Sequence, residues 1–331
     1  MTIDEPALRA VAELHHRYLT GVILSLVHRQ GTARAAEVVR RTFRRQHLEK
    51  FLPGLEKLGL RGLPDAVACA QYHYLSNALG GVKVEWIAES DTKSWVRYLP
   101  PRWIWDGVAV CAVPTEVSRA MLWGWHAHNG VTLGNDRLGF VATSLTTDGG
   151  VGLVGYYVEE DRPLAPEERL RFAPGEQPPG PATELPTVSW DAERLAKVER
   201  NYAMDYVRSM LPELCAVLGV ADAAHVGHLA GRQIGMQYHD DVVAGLAMAD
   251  APLVDVLVRL AVAMGDDVTV DGDDVRSAGW RLRGDDPWPP EAFTAWHGLW
   301  EGFAALHGAG AVLDGRLTGA GFEWTLRSER P

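Results

Sequence analysis

The sequence contains few cysteines and no cysteine motif. Cys69, Cys111 and Cys215 are the only three among 331 residues, and no two of them have the CxxC spacing. A disulfide framework needs an even set of cysteines, and a thiolate metal site needs cysteines in close pairs. The three scattered residues therefore argue against both, and they favour a reducing compartment. We expect a cytoplasmic protein.

Long apolar runs are also missing. The best one, Val22 to Val27, is far shorter than the ~20 residues that a membrane-spanning helix needs. The first residues, MTIDEPALRAVAELHH, are acidic and amphipathic, whereas a secretory signal starts with basic residues followed by apolar ones. The sequence predicts neither membrane insertion nor secretion.

Positive charge is in short supply. There are 32 Lys and Arg side chains against 43 Asp and Glu, which leaves a formal net charge of -11. Nucleic-acid binding needs clustered basic residues to neutralise phosphates. The longest basic cluster, Arg40-Arg41 with Arg44-Arg45, is short, and we interpret it as the solvated face of a helix. Nucleic acid is therefore not an expected partner.

Signatures of common catalytic and cofactor sites are absent as well. No GxSxG, HExxH or Walker pattern occurs, and Gly149-Gly150-Val151-Gly152 lies in a predicted turn before a strand, where it predicts no dinucleotide or phosphate loop. The acidic run DDVTVDGDDVRS lacks the spaced ligands and the final Glu of a calcium loop. We therefore expect no cofactor and no bound metal.

Prolines concentrate in one stretch. Seven of them lie between Pro163 and Pro186, a density that permits neither a long helix nor a central strand. The sequence thus predicts a first domain over residues 1–160, a linker over 161–195 and a second domain over 196–331. The alternative is a long surface excursion within a single domain.

The two halves that flank this stretch show a similar order of features, which indicates an internal duplication. Each half has an amphipathic helix, a Gln-Tyr-His tripeptide, an alternating hairpin, two tryptophans at equal spacing, a Trp-rich helix and a closing strand. The matched landmarks are Tyr18 and Tyr206, Gln71-Tyr72-His73 and Gln237-Tyr238-His239, Trp95 and Trp280, and Trp103 and Trp288.

The hairpin pattern predicts the fold class. In VKVEW, Val82, Val84 and Trp86 fall on one face of a strand, and Lys83 and Glu85 fall on the other. Each hairpin should therefore be half buried against helices. The resulting architecture is α+β, with two related repeats, each made of helices packed on a small antiparallel sheet.

The closing strands carry a family resemblance. They read Thr143-Ser144-Leu145-Thr146-Thr147-Asp148-Gly149 into Gly155-Tyr156-Tyr157, and Leu317-Thr318-Gly319-Ala320-Gly321-Phe322-Glu323-Trp324. With the order of elements, this resembles the superfamily of L-2-amino-thiazoline-4-carboxylate hydrolase and the 4-vinyl reductase (4VR) small-molecule-binding domains. The cysteine that the hydrolases place near this strand is missing, so the resemblance implies the fold and a small-molecule site rather than thiol chemistry.

His126 and His128, in WGWHAHNG, form the densest group of candidate catalytic residues. The segment from Val117 to Asn129 reads as a helix with Gly130 as its C-cap, and on a helix the two rings diverge by about 200 degrees, too far to share one metal ion. We expect one of them to face a pocket as an acid, base or hydrogen-bond donor. Alternatively, both are ordinary helix-end histidines.

His73, Glu85 and Arg97 are further candidates. His73 and His239 occupy matching places in apolar helices, where a core histidine satisfied by the backbone is the alternative. Glu85 and Arg97 lie on opposite strands of the first hairpin, so they pair with each other or serve as a base and a substrate-carboxylate anchor. The second half has Thr269 and Leu282 near their positions, which predicts that the first repeat carries the site.

Tryptophan supplies the expected pocket wall. The chain has 12 Trp, and six of them belong to the first half, which suits an aromatic-lined pocket, although an aromatic core under a small sheet is the alternative. The predicted substrate-binding residues are Trp86, Trp95, Arg97, Trp125, Asn129, Tyr156 and His239.

Together these features predict an acid–base enzyme that uses no cofactor and acts on a small cyclic or aromatic, anionic molecule by hydrolysis, ring opening, isomerisation or elimination. Its predicted catalytic residues are His73, Glu85, His126 and His128. The second hypothesis is a non-catalytic small-molecule-binding or sensor protein of the 4VR type, and the third is a metal-dependent oxygenase, for which no ligand triad is recognisable. A homodimer is kept as an option for the assembly. A histidine within hydrogen-bond reach of a second ionisable group would favour the enzyme.

Overall fold

The computed structural model describes residues 4–100, 109–185, 191–308 and 310–328. The chain forms two compact units: unit 1 contains residues 1–30 and 191–331, and unit 2 contains residues 31–190. The first helix thus belongs with the C-terminal half, whereas the sequence predicted it in the N-terminal domain. The reason is tertiary packing, since Tyr18 of this helix is fully buried and its hydroxyl donates to the carbonyl oxygen of Ala295, 2.7 Å away.

The helices, in chain order, are α1 (Glu5–Gln30), α2 (Thr32–Lys57), α3 (Asp65–Leu79), α4 (Ala109–Ala112), α5 (Thr115–Gly124), α6 (Asn129–Leu133), α7 (Ala192–Leu218), α8 (Val220–Gln237), α9 (His239–Gly245), α10 (Leu253–Met264) and α11 (Pro290–His307). The strands are β1 (Val84–Ala88), β2 (Lys93–Tyr98), β3 (Leu138–Ser144), β4 (Leu153–Glu159), β5 (Leu170–Phe172), β6 (Val268–Asp271), β7 (Asp274–Ser277), β8 (Ala311–Thr318) and β9 (Gly321–Ser328). The α+β class is confirmed.

Unit 2 is built on a five-stranded sheet in the order β1-β2-β4-β3-β5, in which only the β3–β5 pair is parallel. Helix α3 packs on the face formed by β1, β2 and β4, and α5 packs along α2. The close approach of α5 to α2 depends on Gly124, because a Cβ at this position would collide with the carbonyl oxygen of Arg40.

Strand alternation sorts the side chains of this sheet as the sequence pattern predicted. Trp86, Tyr98, Phe140 and Tyr157 lie on the face covered by α3, within the larger apolar core. The opposite face carries a second, smaller cluster, made of Ile87, Trp95, Val141 and Tyr156. Successive residues of a strand point to opposite faces, so neighbours such as Tyr156 and Tyr157 end in different environments.

The proline-rich segment, predicted to be a linker, packs on unit 2 as far as it is described. Leu170 to Phe172 forms β5 at the edge of the sheet, and the backbone N–H of Thr183 donates to the carbonyl oxygen of Trp86 at 2.7 Å. Ala173 packs against the smaller apolar cluster. The prolines exclude a long helix, as expected, but the residues between them still pair with an edge strand and cover the sheet.

Unit 1 carries a four-stranded antiparallel sheet in the order β6-β7-β9-β8. Its helices α8 and α11 pack very closely, because Gly227, Gly231 and Gly235 recur every fourth residue on α8 and face α11. Trp296, Trp300, Phe322 and Trp324 are fully buried and form the aromatic core of this unit.

The residues that suggested a duplication do not occupy matching places. Gln71-Tyr72-His73 lies inside α3, directly before the first hairpin, whereas Gln237-Tyr238-His239 lies at the junction of α8 and α9, with α10 still to come. Trp95 is part of β2, but Trp280 follows the end of β7. Trp103 lies outside the described residues. The alignment based on these landmarks is therefore wrong.

No helix within the described ranges is long and apolar enough to cross a membrane.

Candidate functional site

Five polar side chains meet between α3 and the sheet of unit 2. They are His73 on α3, Tyr98 at the end of β2, His126 in a 3-10 turn, Asn129 at the start of α6 and Tyr157 on β4. All five are buried, with Asn129 and Tyr157 at 0% exposure and His126, the most exposed, at 6%. We call them the His–Tyr cluster. Polar groups this deep in a core need internal hydrogen-bond partners. The cluster supplies them for both tyrosine hydroxyls, both Nδ1 atoms and Asn129 Nδ2, whereas Oδ1 of Asn129 is buried without one.

Each histidine of the cluster is bonded to a tyrosine. Nδ1 of His73 is 2.8 Å from the hydroxyl of Tyr98, and Nδ1 of His126 is 2.6 Å from the hydroxyl of Tyr157. The two imidazole rings stack on each other, with centroids 4.3 Å apart and planes inclined by 16°. Because two imidazolium cations at this separation would repel strongly, the stack accommodates at most one positive charge.

A break in the helix positions His126. Helix α5 ends at Gly124, residues 126–128 form a 3-10 turn, and α6 follows, with Gly134 (φ 77°) as its C-cap. The predicted helix with Gly130 as C-cap is thus wrong; Gly130 is instead needed because a Cβ there would lie 2.5 Å from the carbonyl oxygen of Leu138. The turn directs the two histidines to different partners, and Nδ1 of His128 meets the carbonyl oxygen of Trp123 at 3.0 Å.

Two polar residues of α2, Arg44 and His47, lie near Asn129, the member of the cluster at the start of α6. Asn129 donates from Nδ2 to the hydroxyl of Tyr157 at 2.9 Å, and Nη1 of Arg44 lies 2.9 Å from Nδ1 of His47. His47 is fully buried against Phe51, and burial, followed by nearby charges, lowers its pKa to about 3. The sequence suggested that Arg44 lies on a solvated helix face. It is instead half-buried, and it hydrogen-bonds His47.

Trp125 and Trp86 lie on the same side of the sheet as the cluster. The ring of Trp125 stands between two histidines, 6.0 Å from His73 and 5.4 Å from His47 by ring centroids. Trp86 donates its indole N–H to the hydroxyl of Ser94 at 2.8 Å. Both residues were predicted to line the site, and Trp125 touches it.

Glu85 and Arg97 lie on the other face of the sheet. Strand alternation separates them from Trp86 and Tyr98, and they form an ion pair with 3.1 Å between Arg97 Nη1 and Glu85 Oε2. About a third of each side chain is exposed. The predicted base and carboxylate anchor therefore do not join His73 and His126, and their pairing is the structural alternative that the sequence left open.

Trp95 and Tyr156 share this opposite face, where the chain's own Lys93 occupies the space between aromatic rings. The Lys93 ammonium lies 4.2 Å from the Tyr156 ring centroid, 5.1 Å from that of Trp95 and 3.1 Å from the Glu176 carboxylate. Burial and Glu176 raise the pKa of Tyr156 to about 12. These two predicted substrate-binding residues are thus held in an internal ion-pair assembly.

His239, the last predicted residue, belongs to unit 1. Its Nδ1 is 2.8 Å from a carboxylate oxygen of Asp240, and its Nε2 is 3.0 Å from Nδ1 of His307. Nε2 of His307 in turn meets the carbonyl oxygen of Ala251 at 2.7 Å. All four nitrogens of the two imidazole rings have hydrogen-bond partners. The two histidines therefore connect α9, α11 and the turn before α10.

The predicted loss of polarity in the second half is wrong. Leu282 is buried beyond the end of β7, and the residue opposite Thr269 is Arg276, which pairs with Glu323 at 2.9 Å. The error came from aligning Trp280 with Trp95. This placed β7 several residues too far along the chain relative to β2.

Two clefts lie apart from the cluster. One of about 520 Å³ in unit 1 is lined by His307, Asp250 and Asp273, and one of about 380 Å³ in unit 2 is lined by Arg119 and Asp148. In the part of the chain that the structure describes, no group of three or more His, Cys, Asp or Glu side chains is arranged to hold a metal ion.

Sequence reasoning missed Tyr98, Tyr157, Arg44 and His47. A signal existed for the two tyrosines, because both fall on the same strand face as Trp86 and Phe140. None existed for His47, whose burial depends on how α2 packs. Comparison of the chain with protein-family models, curated proteins and solved structures found no match.

Proposed function

We propose that the protein is an acid–base enzyme acting on a small cyclic or aromatic molecule, by hydrolysis, ring opening, isomerisation or elimination, with its site at the His–Tyr cluster of unit 2. The observation that carries this proposal is the 2.6 Å contact between His126 Nδ1 and the Tyr157 hydroxyl, beside the second His–Tyr pair. A histidine held by another ionisable group is the arrangement that proton transfer requires.

The cluster suits proton donation at neutral pH. Burial raises the pKa of the Tyr157 phenol well above its usual value, so the hydroxyl remains protonated and orients the imidazole. Because the tyrosines engage the Nδ1 atoms of both histidines, proton exchange with a substrate would use the Nε2 atoms. Because the two rings stack face to face and accommodate at most one charge, a substrate would exchange its proton with one histidine at a time.

The expected negative charge of the substrate is not part of this proposal. It depended on Arg97, which is paired with Glu85 on the far face of the sheet. Catalytic roles are proposed for His73 and His126, a wall position for Trp125, and a supporting role for Asn129. His128 lies half-buried beside His47, where burial lowers its pKa to about 4.

The second candidate is a ligand-binding protein of the 4VR type, in which the same cluster would bind a small molecule without turnover. Tyr157 and Asn129 have no exposed surface, so a substrate reaches them only if the covering elements move. The resemblance to that superfamily also remains a proposal. In both units the residues that carry it fall at the hairpin of the last two antiparallel strands, β3 with β4 and β8 with β9.

We also propose an internal duplication on a corrected alignment. In both sheets the second strand of the first hairpin lies beside the second strand of the second hairpin, β2 beside β4 and β7 beside β9, and helical residues connect the two hairpins in each unit. This pairs α3 with α10 and α5 with α11. On this alignment the helix-facing side of unit 1 carries Phe322 and Trp324, which supports a site in unit 2 alone. An experimental structure with another strand order in either sheet would reject it.

Adjacent tyrosines on opposite faces provide the test. Tyr157→Phe removes the hydroxyl from the cluster, and Tyr156→Phe removes one from the far face. With a panel of small cyclic amides, esters and aromatic acids as substrates, we expect Tyr157→Phe to lose about 100-fold or more in turnover, and Tyr156→Phe to stay near wild type.

Two results would decide against the cluster as the active site, and a third would decide against the enzyme. Equal activity of both variants would remove the cluster from the reaction. Equal losses in both would indicate a general effect on the fold. Tight binding of a panel member without turnover, weakened by Tyr157→Phe, would establish the binding protein instead.

A further inference from the structure

His239 and His307 are joined in unit 1 by three consecutive hydrogen bonds. Nδ1 of His239 is 2.8 Å from a carboxylate oxygen of Asp240, and Nε2 of His239 is 3.0 Å from Nδ1 of His307. Nε2 of His307 is 2.7 Å from the carbonyl oxygen of Ala251. We call these four residues the His239–His307 link. Because every ring nitrogen takes part in one bond, the hydrogens of the link can be counted.

The link needs more hydrogens than two neutral rings possess. An ionised carboxylate and a backbone carbonyl can only accept, so Nδ1 of His239 and Nε2 of His307 must each carry a hydrogen. The contact between the rings needs a third. A neutral imidazole carries a single N–H hydrogen, so two neutral rings supply only two. The complete link therefore holds one extra proton, and its positive charge is shared by the two rings.

A neutral pair must leave one of the contacts without a hydrogen. Wherever the two hydrogens are placed, two acceptor atoms then face each other in the third contact, which is unfavourable. The ring–ring contact is enclosed, since the His239 side chain is 8% exposed and its ring centroid lies 4.8 Å from that of Phe303. The Asp240 side chain is 95% exposed and can turn into water. We therefore expect loss of the proton to release Asp240 and to keep the other two bonds.

The charged groups on the surrounding elements favour the extra proton. They are Asp241 on α9, Arg17 on α1, Arg232 on α8, Glu301 on α11, Arg259 on α10, Asp250 in the turn before α10, Asp273 between β6 and β7, Asp314 on β8 and Arg327 on β9. Each arginine is paired with an acidic side chain: Arg17 with Glu13, Arg232 with Glu301, Arg259 with Asp4 and Arg327 with Asp314. Asp250 and Asp273 line the same cleft as His307, where their negative charge favours a positive charge on the pair.

We propose that His239 and His307 share one bound proton, retained by Asp240, and that this proton completes a pH-sensitive link at the wall of the unit 1 cleft. Ala251 and His307, which the last bond joins, both line that cleft of about 520 Å³. The proton is bound at low pH and lost as the pH rises, so the link is complete on the acidic side. The link lies in unit 1, so it is independent of the chemistry proposed for the His–Tyr cluster in unit 2.

Nuclear magnetic resonance counts the hydrogens directly. Long-range proton–nitrogen spectra of the full-length protein, labelled with ¹⁵N-histidine, distinguish protonated from unprotonated ring nitrogens, and His239→Gln and His307→Gln samples assign the signals. We expect three hydrogens on the pair at pH 5, one of which is lost as the pH is raised. Two hydrogens at pH 5, or four, would overturn the shared proton. Three hydrogens retained up to pH 9 would overturn the pH-sensitive role.

Asp240→Asn tests what retains the proton. The new amide oxygen can still accept from Nδ1 of His239 but carries no charge, so we expect the proton affinity of the pair to fall about three- to tenfold. Asp241→Asn is the matched control, because it removes the same charge from the next residue, which is also exposed. It should leave the affinity within about twofold of wild type. Equal losses in both variants, or no loss in Asp240→Asn, would show that Asp240 does not retain the proton.

Carbon signals of the full-length protein show which bond opens. When the proton is lost, we expect the side-chain carboxyl carbon of Asp240 to shift with the same pH midpoint as the ring nitrogens. The carbonyl carbon of Ala251 should change little, because Nε2 of His307 keeps its hydrogen. A large change at Ala251 without one at Asp240 would mean that the cleft wall is released instead, and it would overturn the role of Asp240.

Discussion

Asp266 is a buried carboxyl whose charge the fold tolerates poorly. One of its oxygens accepts the backbone N–H of Arg281 at 2.6 Å, and the residue is only 7% exposed. Desolvation raises its pKa to about 6, against the influence of that hydrogen bond and of Arg281 and Arg200. A folded-state pKa above the usual one means that ionisation costs stability as the pH rises from about 4 to 6.

Asp266→Asn should therefore stabilise the protein at neutral pH. The amide oxygen can still accept from Arg281, and no charge is buried. We expect a gain of about 1–2 kcal/mol in the free energy of unfolding at pH 7, and almost no gain at pH 3, which lies below the unfolded-state pKa of 3.8, so that the carboxyl is mostly protonated in both states. Chemical denaturation at the two pH values measures this. A gain of equal size at both would contradict the charge argument.

Arg97, unlike Asp266, is a charged residue in a partly exposed ion pair. A site in the first repeat that includes Arg97 and His126, as the sequence predicted, implies that Arg97→Ala and His126→Ala impair function more than His297→Ala or His307→Ala in the second. The structure revises the first half of this prediction, since the ion pair of Arg97 with Glu85 is partly exposed and on the far face. Such pairs contribute about 0–1 kcal/mol.

We therefore expect Arg97→Ala to melt close to wild type and to keep its ligand affinity, whereas His126→Ala loses the Tyr157 contact and the ring stack. Thermal melting and calorimetry with a ligand found in the purified protein give the comparison. If Arg97→Ala abolished binding while His126→Ala retained it, the site would lie on the outer face of the sheet.

Helix pairs in this protein approach as closely as glycine permits. On α8, a Cβ at Gly235 would collide with the carbonyl oxygen of Leu299 on α11 and lie 2.6 Å from the backbone nitrogen of Phe303. Both obstacles are backbone atoms, which a rotamer change cannot move. At Gly245 in α9, by contrast, no atom lies within 4 Å of an added Cβ.

Gly235→Ala and Gly245→Ala therefore form a matched pair of helix substitutions. We expect the first to lower the free energy of unfolding by about 2–3 kcal/mol or more, because the helices must separate. The second should be neutral or stabilising by up to about 1 kcal/mol through lower backbone entropy in the unfolded chain. Similar values for both, measured in urea, would mean that α8 and α11 can move apart at little cost.

Across the whole molecule, several histidines are buried in the core, where their charged form is disfavoured. Burial is the largest cause that lowers the pKa of His15 and His128 to about 4 and of His16 and His47 to about 3. Below their usual value of 6.5, these groups bind protons in the unfolded chain and not in the folded one. Their folded-state pKa is lowered, so stability rises with pH in this window and is lost on acidification.

We expect the free energy of unfolding to fall steeply between pH 6.5 and pH 4, by up to about 1.4 kcal/mol per pH unit for each fully buried histidine, and less for half-buried His128. The raised pKa values of Asp266 and Glu199 act in the opposite sense, but more histidines than carboxyls are affected, since burial lowers the pKa of His297 as well. Denaturation midpoints at pH 7, 6 and 5 measure the slope, and His16→Gln should make it shallower. A midpoint independent of pH over this range would contradict the buried, neutral state of these rings.

The candidate site shows how far sequence reasoning reached. His73, His126 and Asn129 were predicted and do meet, because each lies in a strongly apolar segment that had to be buried. Glu85, Trp95, Arg97 and Tyr156 were predicted with them and lie across the sheet. The alternation that separates them was visible in the sequence. Which face the histidines would contact was not visible, since that depends on the docking of α3.

Local chemistry in the sequence determined the fold class, the hairpins and the two faces of each strand, since these follow from periodicity over a few residues. Only the tertiary structure decided that α1 belongs with the C-terminal half, that the proline-rich segment packs on the sheet of unit 2, and that His47 is buried against Phe51. These depend on contacts between residues distant in the chain, whose free energy comes from shape and desolvation and leaves no periodic signal in the sequence.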